Sequence, residues 1–165
     1  MIPNKKVINE PYIFCYFLGA NEEHRKAVNE LKRETGLALV TCPFLDNFVE
    51  ADQTFGDIQV YDMDASDFVN MIRYAEYVLT DSFHGTLFSI IYQKKFLIFN
   101  RFNNGANSRN SRIDSLCTLL GLRERRYYGD TFIVQRNINY VQVEDKLRSL
   151  RLNSIQYLKM ALKIV

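Results

Sequence analysis

Residues Tyr77 to Tyr92 (Tyr-Val-Leu-Thr-Asp-Ser-Phe-His-Gly-Thr-Leu-Phe-Ser-Ile-Ile-Tyr) restrict the fold of this chain more than any other stretch. A short apolar strand, with Val78 and Leu79, runs into a polar turn and then straight into a helix. Asp81 and Ser82 are both good N-cap residues, and Phe83, Leu87, Ile90 and Ile91 recur at helical spacing. His84 and Gly85 therefore fall in the first turn, where unpaired N–H groups and the positive end of the helix dipole point outward. Such a helix start attracts anions, and here it also carries a titratable ring. Gly85 lets a ligand approach the backbone closely. An anion bound alongside favours the protonated imidazole, so the charge on His84 depends on what binds.

Strands and helices alternate around this unit. Pro11 to Leu18 is almost continuously apolar, as expected of a strand covered on both faces. Gly19 to Asn21 breaks it. Glu22 to Thr35 reads as a helix with Ala27, Val28 and Leu31 inward, stopped by Gly36, and with His24 on its exposed face. Leu37 to Thr41 is a second strand and Ile58 to Tyr61 a third. Asp64 to Ala75 is a helix with Phe68, Met71 and Ile72 inward, and Lys95 to Phe99 is a fifth strand. This order predicts an α/β, Rossmann-like fold: a mainly parallel sheet with helices on both faces, in one domain spanning residues 1–165. Ligands bind at the carboxyl ends of strands in such sheets. That places Gly19 to Asn21, Asp62 to Asp64, Asp81 to His84 and Asn100 to Arg101 along one rim. An Asn-rich loop then covers Arg101 to Ser111. Ser111-Arg-Ile-Asp114 resembles a capping box with Asp for Glu, opening a helix with Ile113, Leu116, Leu119 and Leu120 inward and Gly121 as its stop. A last helix, Val143 to Leu162, carries Leu147, Leu150, Leu158 and Ala161 on one stripe.

Composition narrows the partners. A formal net charge of +2 is too small to imply nucleic acid or an anionic membrane surface, and the aromatics form no basic stacking platform for single strands. No apolar run approaches the roughly 18 residues of a membrane span, and no signal peptide is visible, so a cytoplasmic protein is expected. Cys15, Cys42 and Cys117 are far apart, odd in number and in apolar contexts, which predicts reduced core thiols and no metal site.

Arginines supply the complementary charge. Arg112 sits in the first turn of its helix, where a cation opposes the dipole, which makes sense if an anion lies between the guanidinium and the helix amides. Arg101, Arg109, Arg123, Arg125 and Arg126 enrich the same region, and a guanidinium offers a planar fork to phosphate or carboxylate. Two other patterns carry less. Asp62-Met-Asp-Ala-Ser66 mimics the Asp-x-Asp motif of haloacid-dehalogenase-like phosphatases, but no Asp-Asp pair follows, and capping of the helix before Phe68 explains it. Ser82 lacks the flanking glycines of a nucleophile elbow, since Thr80 and His84 stand there.

The block from Ala75 to Tyr92, then Lys95 to Phe99, Ser111-Arg-Ile113, Leu119-Leu-Gly-Leu122 and Arg125, resembles the polysaccharide pyruvyl transferase family. The resemblance implies the carboxyl-terminal half of a fold like that of GT-B glycosyltransferases, with an amino-terminal Rossmann-like domain absent from this chain. It implies transfer of the pyruvyl group of phosphoenolpyruvate to a sugar of a cell-surface polysaccharide, as a ketal, without cofactor or metal. The acceptor would be a sugar or a lipid-linked or nucleotide-linked saccharide. By carry-over, His84 matches the family's functional histidine, and Arg112 and Arg125 match its downstream arginines. The expected binding set is Asp81, Ser82, Gly85, Thr86, Arg101, Arg112 and Arg125, with His84 as general acid. Some members have an arginine two residues before the histidine, where this chain has Ser82. Two other readings stand beside this one: half of a nucleotide-sugar glycosyltransferase, and a non-catalytic binding or assembly domain.

Overall fold

The computed structural model describes residues 6–45, 47–101 and 111–163. Five short strands, β1 (Tyr12–Tyr16), β2 (Ala38–Thr41), β3 (Ile58–Gln59), β4 (Tyr77–Thr80) and β5 (Lys95–Ile98), form one sheet in the order β3-β2-β1-β4-β5. Every pairing is parallel. β1 holds the centre, with Phe14 opposite Val40 on one side and Val78 on the other. Its alternation sets two core layers. Tyr12 and Phe14 join Val40, Val78, Phe96 and Ile98 on one face, while Ile13 and Cys15 join Leu39, Leu79 and Leu97 on the other. Both faces are covered, which is why the strands read as continuous apolar runs.

The helices are α1 (Glu22–Thr35), α2 (Ala65–Tyr74), α3 (Phe83–Ile91), α4 (Ser111–Leu120) and α5 (Tyr140–Ala161). α1 begins where the Asn21 side chain accepts from the Glu23 amide, at 2.9 Å, and ends at Gly36 with a left-handed φ of 67°. α2 begins with the Asp64 carboxylate accepting from the Asp67 amide at 2.7 Å, so the aspartate-rich turn before it is a cap. α1 packs Ala27, Val28 and Leu31 onto one face of the sheet. Buried residues of α2, α3, α4 and α5 cover the other. The three cysteines are free and buried, and burial pushes Cys42 up to about 12 and Cys117 up to about 11, so both remain thiols at neutral pH.

Several expectations are corrected. His24 is not on an exposed face: its ring packs 4.9 Å from that of Phe99 and 6.0 Å from that of Phe17, and the Asn21 amide lies 3.2 Å from its Nε2. Position 24 is on the inward stripe that continues through Ala27, Val28 and Leu31. In α4, Cys117 is buried and Leu119 exposed, because Ile113, Cys117 and Leu120 follow the helical period and Leu119 does not. Asp114 does not behave as a capping-box acid; its carboxylate receives the Arg126 guanidinium. In α5 the inward stripe holds through Val143, Leu147 and Leu150. Beyond Leu150 every described residue is exposed, Leu158 and Ala161 included. A helix of 22 residues is about 33 Å long, and strands of four or five residues cannot support all of it. Residues 102–110 of the Asn-rich loop, Arg109 among them, lie outside the described residues.

Burial, and secondarily the neighbouring Arg25, lowers the His24 imidazole below its usual 6.5. A ring held neutral in the fold and freer to protonate when unfolded stabilises fully above 6.5, and that stabilisation is lost as pH falls through the lowered value. Thermal melts should therefore show the wild type losing stability between pH 7.5 and pH 5 relative to His24→Phe; parallel pH profiles for the two would refute this.

Candidate functional site

Strand order reverses between β1 and β4, because the chain leaves β1 toward β2 and β3 and then returns to β1's other edge. A crevice opens at the carboxyl ends of two such strands, and here the Asp81 carboxylate closes it. Its Oδ1 accepts from the Leu18 amide and its Oδ2 from the Gly19 amide, both at 2.8 Å, and the residue is 4 % exposed. Burial raises this carboxyl above its ordinary value, while the two amides and the Arg25 charge pull it back. Gly19 must be small here: a Cβ would lie 2.9 Å from Asp81 Oδ2 and 3.2 Å from the Arg101 carbonyl oxygen.

The turn after Asp81 is built just as tightly. Thr80 Oγ1 donates to the Tyr16 carbonyl at 2.8 Å and accepts from the Ser82 amide at 3.0 Å. Ser82 caps α3 by accepting from the Gly85 amide, and Thr86 Oγ1 donates back to the Ser82 carbonyl at 3.0 Å. A Cβ on Gly85 would sit 2.5 Å from Thr80 Oγ1, so only glycine lets α3 start this close to β4. Asp81, Ser82, Gly85 and Thr86 are all buried and engaged in holding the turn.

His84 is different. It is exposed at the start of α3, and helix geometry leaves its own amide and that of Phe83 without an intrahelical acceptor. It borders a cleft of about 380 Å³ lined also by Tyr16, Leu18, Leu45, Met63, Phe68 and Ser82. The Phe83 ring lies edge-on to the imidazole at 5.8 Å, and the Arg112 guanidinium sits over that same ring at 5.2 Å. α3 and α4 thus begin side by side, with an imidazole and a guanidinium flanking one phenyl ring. Arg101 reaches the rim from the end of β5: its Cγ lies 3.3 Å from where a Gly19 Cβ would be. Its charge is also felt at the Tyr16 phenol, which burial, Cys42 and Asp81 raise and Arg101 pulls back.

Arg125 is a correction. The guanidinium is 2 % exposed and donates to the carbonyls of Ile133 (2.9 Å), Arg136 (3.1 Å) and Asn137 (3.4 Å). It braces the segment before α5 and cannot meet a ligand arriving from solvent. Arg126 is likewise committed, to Asp114 and the Asn100 side chain.

Sequence reasoning passed over the other buried charge of the rim. Arg25 Nε donates to Asp52 Oδ1 at 2.6 Å, both side chains being almost wholly buried, and its NH1 donates to the carbonyls of Gly19 and Asn21. The signal was available, since position 25 precedes Val28 by three on a buried stripe. Among the described residues, no group of three His, Cys, Asp or Glu side chains could hold a metal ion, and no helix is long and apolar enough to cross a membrane.

The sequence model of one family, polysaccharide pyruvyl transferase, matches residues 1–104, which include the whole turn from Thr80 to Thr86. The chain belongs to that family. A search among curated proteins returned no match. The family match ends just past Arg101, and Arg112 lies outside it, with its guanidinium over the Phe83 ring that also meets His84.

Two substitutions test how the turn is held. Asp81→Asn can accept from only one of the Leu18 and Gly19 amides and turns an N–H toward the other, so it should cost about 1–3 kcal/mol in urea unfolding. Gly85→Ala should cost a similar ~1–3 kcal/mol by forcing α3 off Thr80. Wild-type stability in either variant would show that the crevice tolerates what the geometry forbids.

Proposed function

We propose that this domain binds phosphoenolpyruvate at the paired starts of α3 and α4 and transfers its pyruvyl group to a saccharide as a ketal. The observation that carries the reading is an exposed imidazole and an exposed guanidinium on either side of Phe83, at a helix start facing an open cleft. Phosphoenolpyruvate has a phosphate and a carboxylate. A helix start meets one anionic group with backbone amides and the dipole, and arginine meets the other with a planar pair of donors. We assign that task to Arg112, over the Phe83 ring, and to Arg101, at the Gly19 rim.

Protonated His84 gives its proton to the methylene carbon of the donor, and positive charge develops at the carbon bearing the phosphate. An acceptor hydroxyl adds there, its proton returning to His84. The carbon–oxygen bond to phosphate then breaks, a second hydroxyl adds, and its proton leaves with the phosphate. The buried turn residues contribute by fixing where the ring stands, so that little reorganisation is needed on binding.

Calorimetric titration with phosphoenolpyruvate separates the roles. Arg112→Ala should weaken binding roughly tenfold or more, the loss expected for a charge-assisted contact. His84→Ala should weaken binding less and abolish phosphate release that depends on both donor and saccharide. Equal affinity of wild type and Arg112→Ala, or full turnover in His84→Ala, would overturn the proposal.

A further inference from the structure

Three aromatic side chains stand together at the rim on the β2–β3 side of the cleft. The rings of Phe44 and Phe48 are stacked, 5.2 Å apart and 20° from coplanar, and the Tyr61 ring lies 6.3 Å from Phe44. Phe48 is 68 % exposed and Tyr61 65 %. Water-facing aromatics gathered in one patch are unfavourable unless something covers them.

The group is held in place rather than left loose. Phe44 has a left-handed φ of 58°, a conformation a bulky residue adopts only where its surroundings insist. Its amide donates to Asp52 Oδ2 at 3.4 Å, and Asp52 Oδ1 receives the buried Arg25. The Tyr61 hydroxyl donates to Gln59 Oε1 at 2.7 Å, and Gln59 Nε2 donates in turn to the Asp52 carbonyl at 2.6 Å. Both ends of the patch therefore run back to Asp52 and its ion pair. It also adjoins the cleft: Leu45 follows Phe44, Met63 comes two residues after Tyr61, and both line the cavity that His84 borders.

We propose that Phe44, Phe48 and Tyr61 form a stacking platform for a hexopyranose ring of the saccharide acceptor. A pyranose offers a face of C–H groups to an aromatic plane and hydroxyls at its edge. Exposed Asp62, next to Tyr61, supplies a carboxylate acceptor for those hydroxyls. Aromatic planes with a neighbouring acid suit a neutral sugar better than they suit a donor carrying both carboxylate and phosphate, which needs the cations at the other side of the cleft. The family to which the chain belongs acts on polysaccharides, so the ligand class is consistent with the site. The role as an acceptor subsite rests on the reading of His84 and Arg112 as the donor site; sugar stacking on these rings does not.

Saturation-transfer NMR with the methyl glycosides of galactose, glucose, mannose and N-acetylglucosamine tests it. At least one glycoside should receive saturation mainly on the C–H protons of one ring face. Phe48→Ala, a change at an exposed position, should weaken that binding roughly tenfold, the upper range of an aromatic contact; Tyr61→Ala should do the same, and Phe48→Tyr should retain it. Phosphoenolpyruvate affinity should be unchanged in all three, and His84→Ala should leave glycoside binding intact. If no glycoside binds the wild type, or if Phe48→Ala and Tyr61→Ala bind as well as it does, the platform is refuted. Sedimentation showing a wild-type dimer that Phe48→Ala dissolves would assign the patch to self-association and also refute it. Glycoside binding lost in Phe48→Ala, in a protein that never binds phosphoenolpyruvate, would instead remove the donor site and leave the platform standing.

Discussion

A carboxylate buried between the ends of two parallel strands must be met by donors, and at the end of β4 the donors are the amides of Leu18 and Gly19. Without that pairing Asp81 would be an unmatched charge in a dry crevice. With it, the segment after β1 and the turn before α3 become one rigid rim. The tie extends further, because Arg25 holds the Gly19 carbonyl with one nitrogen and Asp52 with another. Asp52 then anchors Phe44 and, through Gln59, Tyr61. A chain of polar contacts, buried at the Arg25–Asp52 pair and exposed at Tyr61, thus runs along the carboxyl edge of the sheet from Asp81 to the aromatic side of the cleft. Such networks are worth having only when every member is satisfied, and around Asp81 and Asp52 each carboxylate oxygen has a partner.

The sheet and its flanking helices were legible because local and global signals agree. Asn21, Asp64 and Ser82 are N-cap residues by type and caps in fact, and Gly36 ends α1 in the left-handed conformation that only glycine adopts freely. Continuous apolar runs announced strands covered on both faces, and all five strands proved parallel. The position of His84 in the first turn of α3 followed from the cap at Ser82.

What escaped the sequence depends on residue types whose usual place was assumed. The polar His24 is expected to face water and Arg25 draws no expectation at all, although the spacing of both to Ala27, Val28 and Leu31 puts them on the inward stripe. Partners far along the chain, Phe99 for one and Asp52 for the other, make their burial tolerable. Arg125 enters the expected site through the family resemblance, whereas its three carbonyl partners come from a segment whose course no local pattern reveals. Phe44 meets Tyr61 only because β2 and β3 pair, so that contact is a property of the sheet and not of either stretch.

α5 obeys two regimes along its length. Up to Leu150 it is held by the side chains beneath it, and unzipping those turns means opening the core. From residue 151 every described residue of the helix is exposed, with Arg151 reaching back to Glu144 at 3.0 Å, and a free segment of that length is marginal in water. The boundary at Leu150 is therefore a thermodynamic one: the distal turns can melt and re-form many times while the sheet never opens, and their amides report the helix–coil equilibrium rather than the folding of the domain.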